Sequence, residues 1–297
     1  MTDRERRAPC PVPAGSWDCH VHIFDPRHFP YAEERRYTPG PASLPSLSDA
    51  EARFSPALRP VLVQPSVYGT DNTCLAAALR STAGAARGIA VIDPDTVTDV
   101  ALEELHRAGV RGVRMNLHSQ DVRDPGMAGR ALAAAARRVA PWRWCLQIYA
   151  DLDVIAGAAP VIAGLDMPVI ADHFCGFRGD AEIDPAQAAT VLALLASGPL
   201  IAKLSAPYRA FGTKQGEART ARWVRQLVAT APRRLIWGSD WPHTGGGVTP
   251  AAREADEIEP FRDVDAVADL RLITGWIGDD AVTQAMLADT PARLFAW

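Results

Sequence analysis

Cysteine is scarce in this chain of 297 residues, and its five copies are odd in number with no Cys-x-x-Cys pair. This excludes a disulfide framework and a paired-thiol redox motif. No stretch approaches the roughly 20 apolar residues of a membrane-spanning helix, and the Pro-rich segment after residues 1–7 lacks the apolar core of a secretory signal. No run of basic residues interleaved with aromatics is present. We therefore expect a cytoplasmic protein with reduced thiols that binds neither membranes nor nucleic acid.

What is present is an ordinary globular composition, with 48% hydrophobic and 22% charged residues. These values exclude disordered and fibrous classes. The formal net charge of -4 gives no basic field that would attract a polyanion. Since neither a linker nor a repeat divides the chain, we predict a single domain over residues 1–297, with residues 1–15 as a flexible N-terminal arm.

Short segments rich in branched and aromatic residues alternate with Ala- and Leu-rich segments of helical spacing. Strand–helix alternation implies parallel strands joined by crossover helices, and eight such units close most naturally into a (β/α)8 TIM barrel. The predicted strands are residues 17–24, 61–67, 88–92, 110–117, 144–149, 168–173, 200–205 and 235–240. Examples of the predicted helices are residues 72–82, 97–108, 127–139 and 186–196.

Three segments fall outside this alternation. Residues 26–60 are rich in proline and arginine and are predicted to form an extended loop over the top of the barrel, where loops carry substrate contacts. The Gly-rich residues 244–249 follow the last strand and predict a tight turn beside the site. Residues 279–297 predict a closing C-terminal helix.

Polar residues at the strand ends are the candidates for function, because catalytic groups of such barrels lie on the C-terminal rim. His20 and His22 end strand one at positions i and i+2, on one face. Strand six ends in His173 and strand eight in Asp240. One strand-end histidine is more often structural, but these four converge on one rim. Beside them, Cys19 and Cys175 are expected to be packing residues.

Several segments carry a specific resemblance to a known family. The motifs DCHVH at residues 18–22, ADH at 171–173 and WGSDWPH at 237–243 resemble those of the amidohydrolase superfamily. Further segments resemble its lactonase branch, whose members act on 2-pyrone-4,6-dicarboxylate, muconolactones and sugar lactones. They are FPY at residues 29–31, YTP at 37–39, DN at 71–72, RGVR at 111–114 and PARLF at 291–295. The resemblance implies a hydrolase of small carboxylated lactones, active in the catabolism of aromatic or sugar acids.

The same residues raise the question of a metal. His20, His22 and Asp240, with His173 as a possible fourth ligand, suit one divalent zinc or manganese ion. A two-metal site is disfavoured, since strands four and five offer Asn116, Gln147 and Tyr149 where such relatives place a bridging lysine or carboxylate. Lys203 lies on strand seven, and we expect it to form a structural ion pair. The lactonase that the chain resembles works without a metal, and we expect no required cofactor, with one zinc or manganese ion as the alternative.

In the mechanism that this resemblance implies, Asp240 activates water while His20, His22 and His173 donate hydrogen bonds or positive charge to the carbonyl oxygen. Arg114 and Arg209 are expected to hold an anionic group of the substrate. Further contacts are expected from Tyr149, Tyr37 and His243. The dicarboxylate lactonase has a basic residue three positions beyond the strand-six histidine, where this chain has Gly176. Only a different loop conformation would let Arg123 or Arg178 replace it.

Alternatives to a lactone hydrolase are a metal-dependent decarboxylase of an aromatic acid, a lactone isomerase, and a catalytically inert protein that binds a small acid. The expected partner in each case is a small anionic molecule, bound by a monomer or a homo-oligomer. The RGVR and PARLF segments favour the lactonase branch over the decarboxylases.

Overall fold

Eight parallel strands form the centre of the computed structural model, which describes residues 10–118, 122–246 and 257–296. The predicted (β/α)8 barrel is confirmed. Its ends meet, because Val21 pairs with Trp241 and the amide of Asp240 donates to the carbonyl of His20 over 2.9 Å. In chain order the strands are β1 (Trp17–Val21), β2 (Arg59–Val63), β3 (Arg87–Ala90), β4 (Val110–Asn116), β5 (Cys145–Tyr149), β6 (Val169–Ala171), β7 (Leu200–Ser205) and β8 (Leu235–Gly238).

Helices follow most strands and cover the outside of the barrel. Several begin at a side-chain cap followed by proline, as at Asp124 and Asp184, whose carboxylates accept from backbone amides of the first turn. The four helices predicted from the sequence as examples are present, and their ends differ from the predicted ones by two residues or fewer. The helices are Leu44–Glu51, Thr73–Ser81, Asp99–Ala108, Pro125–Val139, Leu152–Gly157, Ala159–Ala163, Pro185–Ser197, Pro207–Ala210, Lys214–Thr230, Ala266–Ile277, Asp280–Gln284 and Thr290–Phe295. Among the helices of the described residues, none combines the length and apolarity needed to cross a bilayer.

The apolar core has two parts. The larger part lies between the sheet and the helices, and the smaller one fills the inside of the barrel. Inside the barrel, Trp17 and Cys19 of β1 pack with one or two residues from several other strands and with Phe295 of the closing helix. Cys19 and Cys175 are completely buried, as expected of packing residues, and all five cysteines are free thiols.

The segment after β1 is more ordered than the predicted loop. It contains the helix Leu44–Glu51, whose first turn is capped by the side chain of Ser43. It also contains Thr38–Pro39, which pairs with Ile258–Glu259, and Phe54–Ser55, which pairs with Cys10–Pro11. Residues 10–11 are therefore part of a strand pair and not of a flexible arm. Residues 1–9 lie outside the described residues.

The strands are shorter at the rim than predicted. β1 ends at Val21 where residue 24 was predicted, and β2 ends at Val63 where residue 67 was predicted. β6 ends at Ala171 and β8 at Gly238, each two residues earlier than predicted. The polar residues thus lie on the turns directly after the strands. The closing helix is present as Asp280–Gln284, a π-turn at Ala285–Asp289, and Thr290–Phe295. The predicted Gly-rich turn is described only through residue 246, and Gly245 has a φ of 88°.

Candidate active site

Both histidines of β1 reach the centre of the rim because the register between β1 and β2 shifts. Trp17 pairs with Arg59, Asp18 with Pro60, and Val21 with Leu62, so β1 has one more residue than β2 over this interval. Cys19 therefore stays in the interior cluster while the next residue, His20, also faces inward. Two residues on, His22 lies at the mouth.

Two left-handed turns aim the groups that follow β6 and β8. His173 has a φ of 46° and Asp240 a φ of 63°, a region that non-glycine residues seldom adopt. The backbone of β8 passes close to His20, since a Cβ at Gly238 would lie 2.6 Å from the Cβ of His20. Glycine in the WGSD segment thus allows Asp240 to approach the histidines of β1.

The three imidazoles surround one oxygen of Asp240. Its Oδ1 lies 3.5 Å from Nε2 of His20, 3.8 Å from Nε2 of His22 and 4.0 Å from Nε2 of His173. The four side chains named from the sequence are therefore brought together, within reach of a single bridging water. All four are buried, Asp240 with 2% of its surface exposed.

The other oxygen of Asp240 is held by two donors. The hydroxyl of Tyr208 donates to Oδ2 over 2.5 Å, and Nε of Arg209 donates to it over 2.9 Å. From the sequence, Arg209 is expected to contact the substrate, and Tyr208 has no predicted role. Because Oδ2 is occupied, Oδ1 is the oxygen turned toward the histidines.

Electrostatics keep Asp240 ionised and the imidazoles neutral. Burial alone would raise the pKa of Asp240, but Arg209 and the three histidines bring this pKa well below its ordinary value. Burial lowers the pKa of His22 to about 4 and that of His173 to about 3, against a smaller opposing effect of Asp240. Burial, reinforced by Lys203, also brings the pKa of His20 well below the ordinary value.

The proton of His22 has a defined position. Its Nδ1 lies 2.8 Å from the carbonyl oxygen of Val63, which can only accept. Nδ1 therefore carries the proton, and Nε2 of the neutral ring presents a lone pair toward Asp240. This corrects the expectation that His22 donates to the carbonyl oxygen of the substrate.

A buried polar cluster lies beneath the histidines and centres on Asp172. Arg114 donates to its Oδ2 over 3.2 Å and Gln147 over 3.0 Å, while Nζ of Lys203 lies 2.9 Å from Oδ1. The ion pair expected of Lys203 is thus confirmed. Despite the desolvation of Asp172, the cations and His20 bring its pKa well below its usual value. Asp172 has no role predictable from the sequence, because its partners come from three other strands, β4, β5 and β7.

A cavity of about 320 Å³ opens above this cluster, a size that suits a small organic acid. It is lined by His22, Arg36, Tyr37, Pro65, Ser66, Arg114, Asn116, His118, Tyr149, His173, Arg209, Asp240, Thr244, Gly245 and Glu259. Four of the predicted substrate contacts are therefore at the cavity wall, namely Tyr37, Arg114, Tyr149 and Arg209. Arg36 lines it too and was not singled out from the sequence.

His243 does not occupy the predicted position. Among the described residues it is not one that lines the cavity, and its ring packs edge-on against Tyr208 at 6.0 Å. In the turn after β8, Asp240 and His243 both have positive φ, and the next residues, Thr244 and Gly245, line the cavity. His243 therefore lies behind the cavity wall, and its contact with substrate stays a prediction.

Position 176 cannot supply the missing basic side chain. Gly176 has a φ of 68°, and a Cβ there would overlap the carbonyl oxygen of Ala150. Nor does the loop bring Arg178 to the cavity wall, since its guanidinium contacts His118 at 3.3 Å and Asp151 at 3.5 Å. Arg123 lines the same neighbouring depression as Arg178.

Side chains of the site include candidate ligands for one divalent ion, among them the set predicted from the sequence. Within the described part of the chain, the groups of three ligand atoms close enough for one ion are His20 with His22 and Asp240, and His20 with Asp172 and His173. Nε2 of His20 is the nitrogen that faces Asp240, at 3.5 Å from Oδ1, whereas Nδ1 faces Asp172. Nζ of Lys203 lies 3.1 Å from Nδ1 of His20 with hydrogen-bond geometry, which places the imidazole proton on Nε2.

The chain belongs to the amidohydrolase family, whose model, described as Amidohydrolase, matches residues 17–297. A 4-sulfomuconolactone hydrolase of Rhizobium radiobacter is 31% identical over 300 residues, covering 98% of this chain and 94% of that protein. A 2-pyrone-4,6-dicarboxylate hydrolase of Comamonas testosteroni is 33% identical over 242 residues, covering 78% of each. A structure from Acinetobacter baumannii, described as a probable 2-pyrone-4,6-dicarboxylic acid hydrolase with citric acid bound, superimposes with a TM-score of 0.77 at 26% identity, over 95% of this chain and 100% of that one.

Proposed function

We propose that the protein opens a small carboxylated lactone by hydrolysis. One observation carries this proposal: an ionised Asp240 directs Oδ1 at three neutral imidazoles beside an arginine-lined cavity. The similarity to lactone hydrolases over nearly the whole chain supports the reaction class. A cyclic ester is the bond that these groups would attack.

The attacking water is bound between Oδ1 of Asp240 and Nε2 of His22, which are 3.8 Å apart. Both atoms accept hydrogen bonds, so together they use the two protons of one water and direct its lone pair at the carbonyl carbon. As the C–O bond forms, Asp240 takes one of these protons. It then returns the proton to the ring oxygen as the ester bond breaks.

The oxygen that becomes anionic is stabilised by donors on the other side of the site. Nε2–H of His20 lies 3.5 Å from Oδ1 of Asp240, at the base of the site. The Ser205 hydroxyl can donate to Nδ1 of His173 over 2.9 Å, leaving a proton on Nε2 of that ring as well. Arg114 contributes positive charge at the cavity wall while its Nε holds Asp172. The three histidines thus divide into one acceptor and two donors.

The anionic group of the substrate is held by Arg36 and Arg209 at the wall of the cavity. The citrate in the Acinetobacter baumannii structure supports a carboxylated ligand. Because position 176 admits no side chain and Arg178 is paired elsewhere, we favour a lactone with one anionic group, a muconolactone or sugar lactone, over the pyrone dicarboxylate.

No metal is required in this scheme, since the lone pair and charge of Asp240 and His22 activate the water. The five buried thiols suit a reducing compartment, and we propose the cytoplasm.

A panel of carboxylated, sulfonated and sugar lactones, followed by proton release, tests the proposal. We expect hydrolysis of at least one muconolactone or sugar lactone that persists in chelator, with less than one equivalent of bound metal in the same sample. In H2(18)O the product should gain one labelled oxygen. An isomer without label would indicate an isomerase, and release of carbon dioxide from hydroxybenzoates a decarboxylase; either outcome would overturn the proposal.

A further inference from the structure

Lys203 occupies the middle of the barrel directly beneath the site. It is one of two lysines in the chain, and its side chain is completely buried. Nζ lies 3.1 Å from Nδ1 of His20 and 2.9 Å from Oδ1 of Asp172. The ion pair with Asp172 accounts for its charge, but not for its contact with an imidazole.

That contact fixes which nitrogen of His20 carries the proton. An ammonium group has three donors and no lone pair, so it can bind Nδ1 only if Nδ1 is unprotonated. Asp172 favours the opposite arrangement, because its Oδ1 lies 3.5 Å from the same Nδ1 and would accept a proton from it. Lys203 is the closer partner, and a proton on Nδ1 would point at its N–H groups. The neutral ring therefore carries its proton on Nε2.

The other tautomer would give the site a different chemistry. A metal-binding histidine uses the lone pair of one nitrogen and usually donates its second N–H to a carboxylate. Without Lys203, Nδ1 of His20 could donate to Asp172, and Nε2 would complete a set of three lone pairs with His22 and Asp240. The ammonium group of Lys203 is thus the group that favours the tautomer of the structure over the metal-binding one.

We infer that Lys203 is a positioning residue that holds His20 as a hydrogen-bond donor and thereby keeps divalent metal out of the site. The inference rests on the proposed metal-free hydrolysis for its catalytic meaning. The tautomer of His20 and the weak binding of metal can both be measured without any substrate.

The first test is the imidazole nitrogen spectrum of protein labelled with [15N]histidine, in which His20→Asn identifies one of the seven histidines. We expect Nε2 of His20 to show the shift of a protonated nitrogen and Nδ1 that of an unprotonated one. In Lys203→Met the two should exchange. The reverse assignment in the parent protein would overturn the inference by itself.

The second test is titration of zinc into the parent protein and its variants, followed by gel filtration and metal analysis. We expect Lys203→Met to bind one equivalent at least tenfold more tightly than the parent, with the gain lost in the double variant with His20→Asn. Lys203→Arg keeps a cationic donor and should resemble the parent, as should Lys214→Met at the exposed second lysine. If Lys203→Met does not fold, Lys203→Gln takes its place.

Tight, His20-dependent zinc binding by the parent would overturn the inference. It would also be overturned if the Lys203 variant bound zinc no more tightly than the parent. A parent protein that hydrolyses no lactone but shows the expected tautomer and no zinc uptake would instead refute only the proposed function.

Discussion

The hydroxyl of Tyr208 donates to Oδ2 of Asp240 over 2.5 Å, from the turn that follows β7. Together with Arg209, which donates to the same oxygen, it fixes the rotation of the carboxylate. The remaining oxygen is then directed at the histidines. The orientation of the proposed base thus depends on two adjacent residues of a neighbouring strand end.

Tyr208→Phe is expected to lower kcat about tenfold with little change in KM, because one hydrogen bond to a charged group is lost while the cavity wall stays intact. Steady-state kinetics with the best lactone of the panel measure this. Tyr31→Phe is the matched control, since that hydroxyl donates to the carbonyl of Pro39, away from Asp240. Equal losses in both variants would contradict the positioning role.

The pH profile should show no acidic limb near neutrality. Burial lowers the pKa of His22 to about 4, so its lone pair is available above that pH and is lost by protonation below it. We expect kcat/KM to be constant from about pH 6 to pH 8 and to fall about tenfold per unit below about pH 4. An acidic limb with a midpoint near 6.5, the ordinary value of histidine, would contradict the assignment.

The lowered pKa of His22 also makes the stability of the folded state fall as the pH falls. The neutral His22 of the folded state contributes stability above the unfolded value of about 6.5, and this contribution is lost as the pH falls toward about 4. Circular dichroism at each pH of the kinetic profile therefore separates loss of fold from loss of the lone pair.

A side chain at position 176 is expected to destabilise the folded protein. Gly176→Ala places a methyl group against the carbonyl of Ala150 in a left-handed conformation, and should reduce the free energy of unfolding by about 3 kcal/mol or more. Gly275→Ala is the control, because that helical glycine has open space around its Cβ and should gain up to about 1 kcal/mol. Equal unfolding midpoints in denaturant would contradict the steric account.

The strands and most of the candidate site were predictable from the sequence, because parallel strands end at one rim and several of them end in, or are followed directly by, polar residues. The roles of Tyr208 and Asp172 were not, since a turn residue and a counter-ion gain meaning only from partners on other strands. The place of His243 behind the cavity wall was not predictable for a related reason. The left-handed conformations after β8 decide where it lies, and no pattern of residue types encodes them.

Glu51 illustrates a buried group that the function does not use. Burial, with a smaller effect of Asp18, raises its pKa to about 9, and its Oε1 has no hydrogen-bond partner among the described residues. The folded state thus holds a proton that the unfolded state releases above about 4.5, and stability falls as the pH rises from there toward about 9.

Glu51→Gln is therefore expected to stabilise the protein by about 2 kcal/mol at pH 8 and by much less at pH 5. Chemical unfolding at both pH values measures the difference. Glu104→Gln, at an exposed helical glutamate, should change neither value by more than about 0.5 kcal/mol. A gain that is the same at both pH values would contradict the buried-proton account.

The role of Asp240 is tested most directly by comparing Asp240→Asn with the parent on the same lactone, with chelator present. The amide keeps the shape of the side chain but cannot take a proton from water. We predict a fall in kcat of about a thousandfold or more, with the unfolding midpoint unchanged and KM within a few-fold of the parent value. Turnover within a few-fold of the parent would contradict the account.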